Sequence, residues 1–226
     1  MLHAAVLFEF SGRVRQALIE RGVDAFSYDL LPAEDGSHDH IIGDVRTTLS
    51  CAGVDLIIAH PPCTHLAVSG ARWFKDKRKE QAEALEMVQW VLDLPVPHIA
   101  LENPISIISS RIRKPDQIVQ PWMFGHPEFK ATCLWLKGLP KLVPTNQLAV
   151  PAKGTPEWKA WNRVHRAPPG PDRWKDRSRT FEGLAQAMAE QWSAAAESTK
   201  EGESISTQSA AVRGEEHDDP HSRSRS

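Results

Sequence analysis

The run Asp55-Leu-Ile-Ile-Ala-His-Pro-Pro-Cys63 limits the fold of this chain more than any other stretch. Leu56 to Ala59 are apolar and rich in β-branched residues, and Pro61-Pro62 then remove two consecutive backbone donors, so a strand must end there. A buried strand therefore delivers Cys63 to its exposed end. Each proline holds its predecessor extended, which makes His60-Pro61-Pro62 a stiff arm and places the thiol on a loop that costs little entropy to order. Such a placement suits a nucleophile, whereas a free cysteine without such a setting is usually buried and inert. His60, Cys63 and His65 could hold a structural metal only with a fourth ligand, and no second cluster of cysteine or histidine has suitable spacing.

The flanking sequence alternates strands with helices. Ala4 to Phe8 form a short apolar strand, and Glu9-Phe10-Ser11-Gly12 leads into Val14 to Arg21, where Val14, Ala17 and Leu18 recur at helical spacing and Ser11 can cap. A second strand ends at Asp29. This is the mononucleotide half of a doubly wound sheet, in which an acid about 20 residues beyond the first loop can accept from ribose hydroxyls. One glycine, Gly12, stands where a dinucleotide loop has three, so a ligand with ribose but no phosphates fits better. Asp44, after Ile41-Ile-Gly43, could accept from an adenine amine; the other reading of Asp29 and Asp44 is that of turn residues following strands. Lys77 to Leu94 reads as a helix ended by Pro95, and His98 to Glu102 as a strand running into Asn103-Pro104. The βα alternation makes that strand a neighbour of the one ending at Cys63, so Glu102 and Cys63 are expected side by side at the carboxyl edge.

Ala131 to Leu136 alternates as a further strand, and 145–179 is Pro-rich and irregular. It carries Trp158, Lys159, Trp161, Arg163, Arg166, Arg177 and Arg179, a mixture that either holds phosphates and stacks on bases or tucks its tryptophans against the sheet. Thr180 to Trp192 is helical in pattern and closes a domain over 1–192. From Ser193 to Ser226 there is no aromatic residue and much Ser, Glu, Asp and Arg, so this tail is expected to be disordered. It carries most of the negative charge, which leaves the rest near neutral; only a local basic patch argues for nucleic acid. Three cysteines and no apolar leader point to a reducing cytoplasm, and no apolar run approaches the roughly 18 residues that a membrane-spanning helix needs.

In order and kind these residues resemble the catalytic domain of the cytosine-C5 DNA methyltransferases, and more closely the short phage and prophage proteins of that group. Phe10-Ser11-Gly12 is similar to the family's cofactor loop, Asp29 to its ribose-binding acid, and Asp44 to its adenine-side acid. Pro61-Pro62-Cys63, with Ser69-Gly70 behind it, resembles the nucleophile motif, and Glu102-Asn103-Pro104 stands where the family has Glu-Asn-Val. Phe124 to Thr132 is similar to the Tyr-Gly-x-Pro-Gln-x-Arg-x-Arg segment, with Lys130 at the first arginine, and Gly183 to Ala189 to the closing helix.

The resemblance implies a Rossmann-like, S-adenosylmethionine-dependent methyltransferase fold with a mostly parallel doubly wound sheet. It implies S-adenosyl-L-methionine held by Phe10, Ser11, Gly12, Asp29, Asp44 and Pro61, and catalysis by Cys63, Glu102 and Lys130. A thiolate added to C6 turns a pyrimidine into an enamine that attacks an electrophilic methyl, and Glu102 in its acid form stabilises N3. His60, His65 or Arg72 would lower the thiol pKa or take its proton. The chain departs from the family at Arg13-Val14-Arg15 and at Glu128-Phe-Lys-Ala-Thr132, and 145–179 is much shorter than a target-recognition domain. The expected substrate is cytosine in DNA, with an external targeting partner; the alternatives are a free pyrimidine nucleotide or modified base, or a non-catalytic nucleic-acid-binding relative.

Overall fold

In the computed structural model, which describes residues 1–163 and 173–215, the apolar runs of the sequence become the strands of one sheet. β1 (His3–Leu7), β2 (Asp24–Asp29), β3 (His40–Ile42), β4 (Leu56–Ala59), β5 (His98–Pro104), β6 (Gln117–Val119) and β7 (Thr132–Lys137) lie in the order β3-β2-β1-β4-β5-β7-β6. β1 pairs in parallel with β2 and β4, β2 with β3, and β4 with β5, while β7 runs antiparallel to both β5 and β6. This is the mostly parallel, doubly wound, Rossmann-like sheet that the sequence pattern implies. The strand order reverses between β1 and β4, and such a reversal opens a crevice beyond the carboxyl ends of the strands.

Period-two alternation assigns each strand residue to one of two cores. Val6 and Ile58 face a layer built from α1 (Arg13–Ile19) and the C-terminal helix α7 (Glu182–Glu215), through Val14, Leu18, Met188 and Trp192. Leu7, Ile57 and Ile99 face α3 (Arg78–Leu92) through Val88 and Val91. Leu56, Ile57 and Ile58 are fully buried, each contributing about 1.5–3 kcal/mol of transfer free energy. The short helices α2 (Val45–Thr48), α4 (Ile108–Arg111), α5 (Pro156–Ala160) and α6 (Arg173–Ser178) connect these parts.

Two expectations are corrected here. Ser11 makes no cap to α1; Gly12 is the N-cap, with φ of 69°, and the carboxylate of buried Glu9 accepts from the amides of Val14 and Arg15 at 2.7 and 3.1 Å. The C-terminal element also does not stop at Trp192. α7 continues to Glu215, Ser193 and Ala196 are buried, and Lys200 Nζ donates to Asp55 Oδ2 at 2.7 Å and to the carbonyl of Met1 at 2.9 Å. Two alanines and a lysine on the inward face of one helix suffice to dock a segment whose bulk composition has no core. Among the described residues no helix is long and apolar enough to cross a membrane.

Candidate active site

β4 and β5 pair from Leu56↔His98 to Ala59↔Leu101, so the residues that follow each strand emerge together. Cross-bracing holds the two loops in register. Asn103, buried at the end of β5, donates from Nδ2 to the carbonyl of Pro61 at 2.9 Å. The amide of Val68 donates to Ile105 O and that of Ile107 to Leu66 O, at 3.1 and 3.0 Å. Cys63 itself is at the start of a turn in which its carbonyl accepts from Leu66 and Ala67. Pro61-Pro62 needs this bracing because it brings no donors of its own.

Glu102 is the last acid on β5, and its carboxylate Oε2 is 3.5 Å from His60 Nδ1. Both side chains are nearly enclosed, at 15% and 9% exposed. Burial opposes ionisation of Glu102, but the hydrogen bond from His60, the charge of Lys130 and Thr132 outweigh it, and the carboxyl is held below its ordinary range. Cys63 shows the opposite balance. It is an exposed residue, yet desolvation of the sulfur and the charge of Glu102 push the thiol up, against Lys130 and Arg177. The ligand-free site thus keeps its proton on sulfur and its charge on Glu102, the reverse of the expected arrangement of a thiolate beside a carboxylic acid. Lys130, before β7, donates to the carbonyl of Arg179 at 3.4 Å and lies 5.8 Å from the Phe181 ring, so it is anchored while its charge acts on both Cys63 and Glu102.

The candidate cofactor residues collect at the ends of β1, β2 and β3. Phe8, directly after β1, has a φ of 60°, a conformation that costs a non-glycine residue about 1–2 kcal/mol and clusters at functional sites. Asp29 is half-buried, and desolvation raises its carboxyl pKa although Oδ1 accepts from Leu31 N at 3.0 Å. Asp44 is exposed and caps α2 through Arg46 N, so the turn-residue reading accounts for one of its oxygens. Gly12 is approached by side chains of the chain itself: a Cβ there would collide with the Arg15 guanidinium and the Asp35 carboxylate. Arg15, fully buried, donates to Ser27 Oγ at 2.7 Å and pairs with Asp35, while Glu34 N donates to Phe10 O, so the β2–β3 loop folds back over the first loop. Ser11 and Gly12 also line a cleft of about 300 Å³ between α1 and α7.

The basic and aromatic stretch is divided. Trp158 and Trp161 pack on Phe129 with centroid separations of 5.8 and 5.4 Å, and Phe129 N donates to Trp161 O. Arg163 pairs with buried Glu128 at 2.5 Å, and Arg179 pairs with Glu34. These four therefore serve packing and loop anchoring, which corrects their reading as base-stacking and phosphate-holding groups. Lys159 is exposed, Arg177 acts on Cys63, and Arg166 lies outside the described residues. Sequence reasoning missed Glu9 and the partnership of His60 with Glu102. A lone acid inside the apolar run Leu7-Phe8-Glu9-Phe10, just before a helix, was the available signal for the first; nothing local signalled the second.

The geometry can be set beside known proteins. No protein-family model and no curated protein matches the chain. Among solved structures it is similar to a candidate DNA modification methyltransferase encoded within a prophage (E. coli), at 16% identity and a TM-score of 0.46, over 66% of this chain and 53% of that one. It is also similar to the Dnmt2 methyltransferase of S. pombe, at 15% identity and 0.42 over 75% and 56%, and to a mutant DNMT2 of Spodoptera frugiperda, at 19% and 0.40 over 69% and 54%. The chain spans about half the length of these proteins.

Proposed function

We infer that this chain is an S-adenosylmethionine-dependent methyltransferase acting on C5 of cytosine in DNA, through an adduct of Cys63 at C6. The observation that carries the reading is the braced pair of loops that brings Cys63, Glu102 and Lys130 to one edge of the sheet. Cytosine C5 is a weak nucleophile until sulfur adds at C6, and a proton donor at N3 is needed to hold the charge that this addition develops. Cys63 supplies the sulfur, Glu102 carries the proton to N3, and Lys130 keeps the two carboxyl protonation states close in energy by its charge. The base has to leave the stack of a duplex to reach this edge.

The residues fit an adenosine cofactor that lacks phosphates. The N-terminal amides of α1, the usual seat of a pyrophosphate, are already taken by Glu9. Phe10, Ser11, Gly12, Asp29, Asp44 and Pro61 would hold S-adenosylmethionine, which supplies the electrophilic methyl group when bound. Asp29→Ala should weaken binding by about 1.5–3 kcal/mol, the cost of a lost charged hydrogen bond, as read by calorimetric titration; unchanged affinity removes Asp29 from the site.

A second reading, a pyrimidine nucleotide or modified base as substrate, is favoured by the packing of Trp158 and Trp161 on Phe129, which withdraws them from base stacking. Radiolabelled methyl transfer to separate DNA, RNA and nucleotide substrates distinguishes the two. Transfer to none of them would leave a nucleic-acid-binding relative without catalysis.

A further inference from the structure

His60 is the one side chain that joins the nucleophile's arm to the acid of the neighbouring strand. Its Nδ1 is 3.5 Å from Glu102 Oε2, its ring is 9% exposed, and its Nε2 is buried with no partner among the described residues. The ring is two prolines away from Cys63, and the brace from Asn103 to Pro61 O ties that arm to the strand that carries Glu102. A buried ring nitrogen left unpaired costs about 1–3 kcal/mol, so the site holds an imidazole with one end engaged on the acid and the other end open to accept.

We propose that His60 relays a single proton from the Cys63 thiol to Glu102, and through Glu102 to N3 of the target pyrimidine, as sulfur adds to C6. The proposal rests on the cysteine-adduct reading above. The S–H bond breaks as Nε2–H forms, the Nδ1–H bond breaks as O–H forms on Glu102, and that O–H bond breaks as N3–H forms. The sulfur pair makes the S–C6 bond, and the C5–C6 π pair shifts through C4 toward N3 to bind the arriving proton. No net charge is created in the enclosed site. Elimination of sulfur after C5 loses its proton returns the relayed proton along the same path.

The relay resolves the reversed protonation of the resting site, in which the thiol is pushed up and Glu102 is held down. Without a connecting base, the reactive tautomer would be a minor species. The charged and titratable groups around the relay are Glu102 from β5, Lys130 from the segment before β7, Arg177 from α6, and Cys63 and His65 from its own loop. Lys130 and Arg177 act on the two ends of the path, and neither can accept a proton at neutral pH.

The test is the rate of covalent adduct formation with 5-fluorocytosine in DNA or in the nucleotide, measured with S-adenosylmethionine across pH. His60→Asn is the informative variant, because its amide can imitate the Nδ1 hydrogen bond to Glu102 but cannot take up a proton. It should slow adduct formation about 100-fold, move the acid limb of the pH profile to lower pH, and reduce the solvent deuterium isotope effect seen with the wild type. A merely structural role would change the rate without moving the acid limb. Wild-type rate and profile in His60→Asn, or the absence of a solvent isotope effect in the wild-type protein itself, would overturn the relay. If the wild type forms no adduct with any of these substrates, the cysteine-adduct reading falls, and the relay with it.

Discussion

The two ends of the carboxyl edge of the sheet treat their polar groups differently. At the β1–β2 end they satisfy one another: Glu9 accepts two helix amides, Arg15 donates to Ser27 and pairs with Asp35, and His40 bridges Ser27 Oγ and Leu31 O. Only Arg15 Nε is left over there. At the β4–β5 end four buried polar atoms, His60 Nε2, His65 Nδ1, Asn103 Oδ1 and Ser106 Oγ, have no partner among the described residues. Buried polar groups are normally paired, so this concentration marks the place that substrate or water completes, while the other end is a rigid wall. The difference locates the chemistry at β4–β5 and gives β1–β2 the task of holding a ligand of fixed shape.

The comparison can be broken most severely at the nucleophile. Cys63→Ser should lower methyl transfer by at least about three orders of magnitude and abolish the 5-fluorocytosine adduct while the fold survives, because a serine hydroxyl is scarcely ionised near neutral pH. Transfer at the wild-type rate would return Cys63 to a structural role. Next in size is the brace. Asn103→Leu removes the donor to Pro61 O and leaves that carbonyl unpaired, at a cost of about 1–3 kcal/mol in denaturant unfolding, and activity should fall beyond what the lost stability explains. An activity loss that tracks stability alone would mean that the register of the two loops is fixed elsewhere.

Smaller effects sharpen the picture away from the site. Arg177→Ala should weaken DNA binding uniformly across sequences and reduce the slope of log affinity against log salt by about one, whereas Arg163→Ala, already paired with Glu128, should leave that slope unchanged. Equal slopes for both would remove Arg177 from the contact. Smallest is the helix end. Truncation after Trp192 should lower stability by about 1–2 kcal/mol, through loss of Ala196 burial and the Lys200 contacts, and truncation after Gly202 by less than about 0.5 kcal/mol. Burial opposes the charge on Asp55, but Lys200 and His3 lower its pKa below the ordinary value. A depressed acid stabilises the fold above its unfolded pKa and loses that contribution as pH falls through its folded pKa, so Lys200→Ala should matter at neutral pH and cease to matter in acid.

The strands were legible because their residues are apolar on both faces and bounded by Gly and Pro; Leu56 to Ala59 and His98 to Leu101 form as their composition requires. The juxtaposition of Cys63 and Glu102 was legible for the same reason, since strand adjacency follows from βα alternation. The protonation states were not. They depend on His60, Lys130 and Arg177, which converge from separate elements and have no local signature. Trp158 and Trp161 misled because a tryptophan beside cations reads the same whether its ring meets a base or, as here, Phe129. The extension of α7 was hidden because docking depends on a few inward positions such as Ala196, which average composition conceals.

α7 closes the face of β1, and Lys200 reaches the carbonyl of Met1, 199 positions earlier. The first strand to leave a ribosome is thus among the last to be covered, and Val6 stays without its helical neighbours Met188 and Trp192 until synthesis has nearly finished. A nascent chain of this kind gains little from early emergence of its amino end: half of the central core must wait in solvent or in a chaperone. Slow, late-closing assembly follows from where one helix lies, and it makes the carboxyl terminus the checkpoint for maturation of the whole domain.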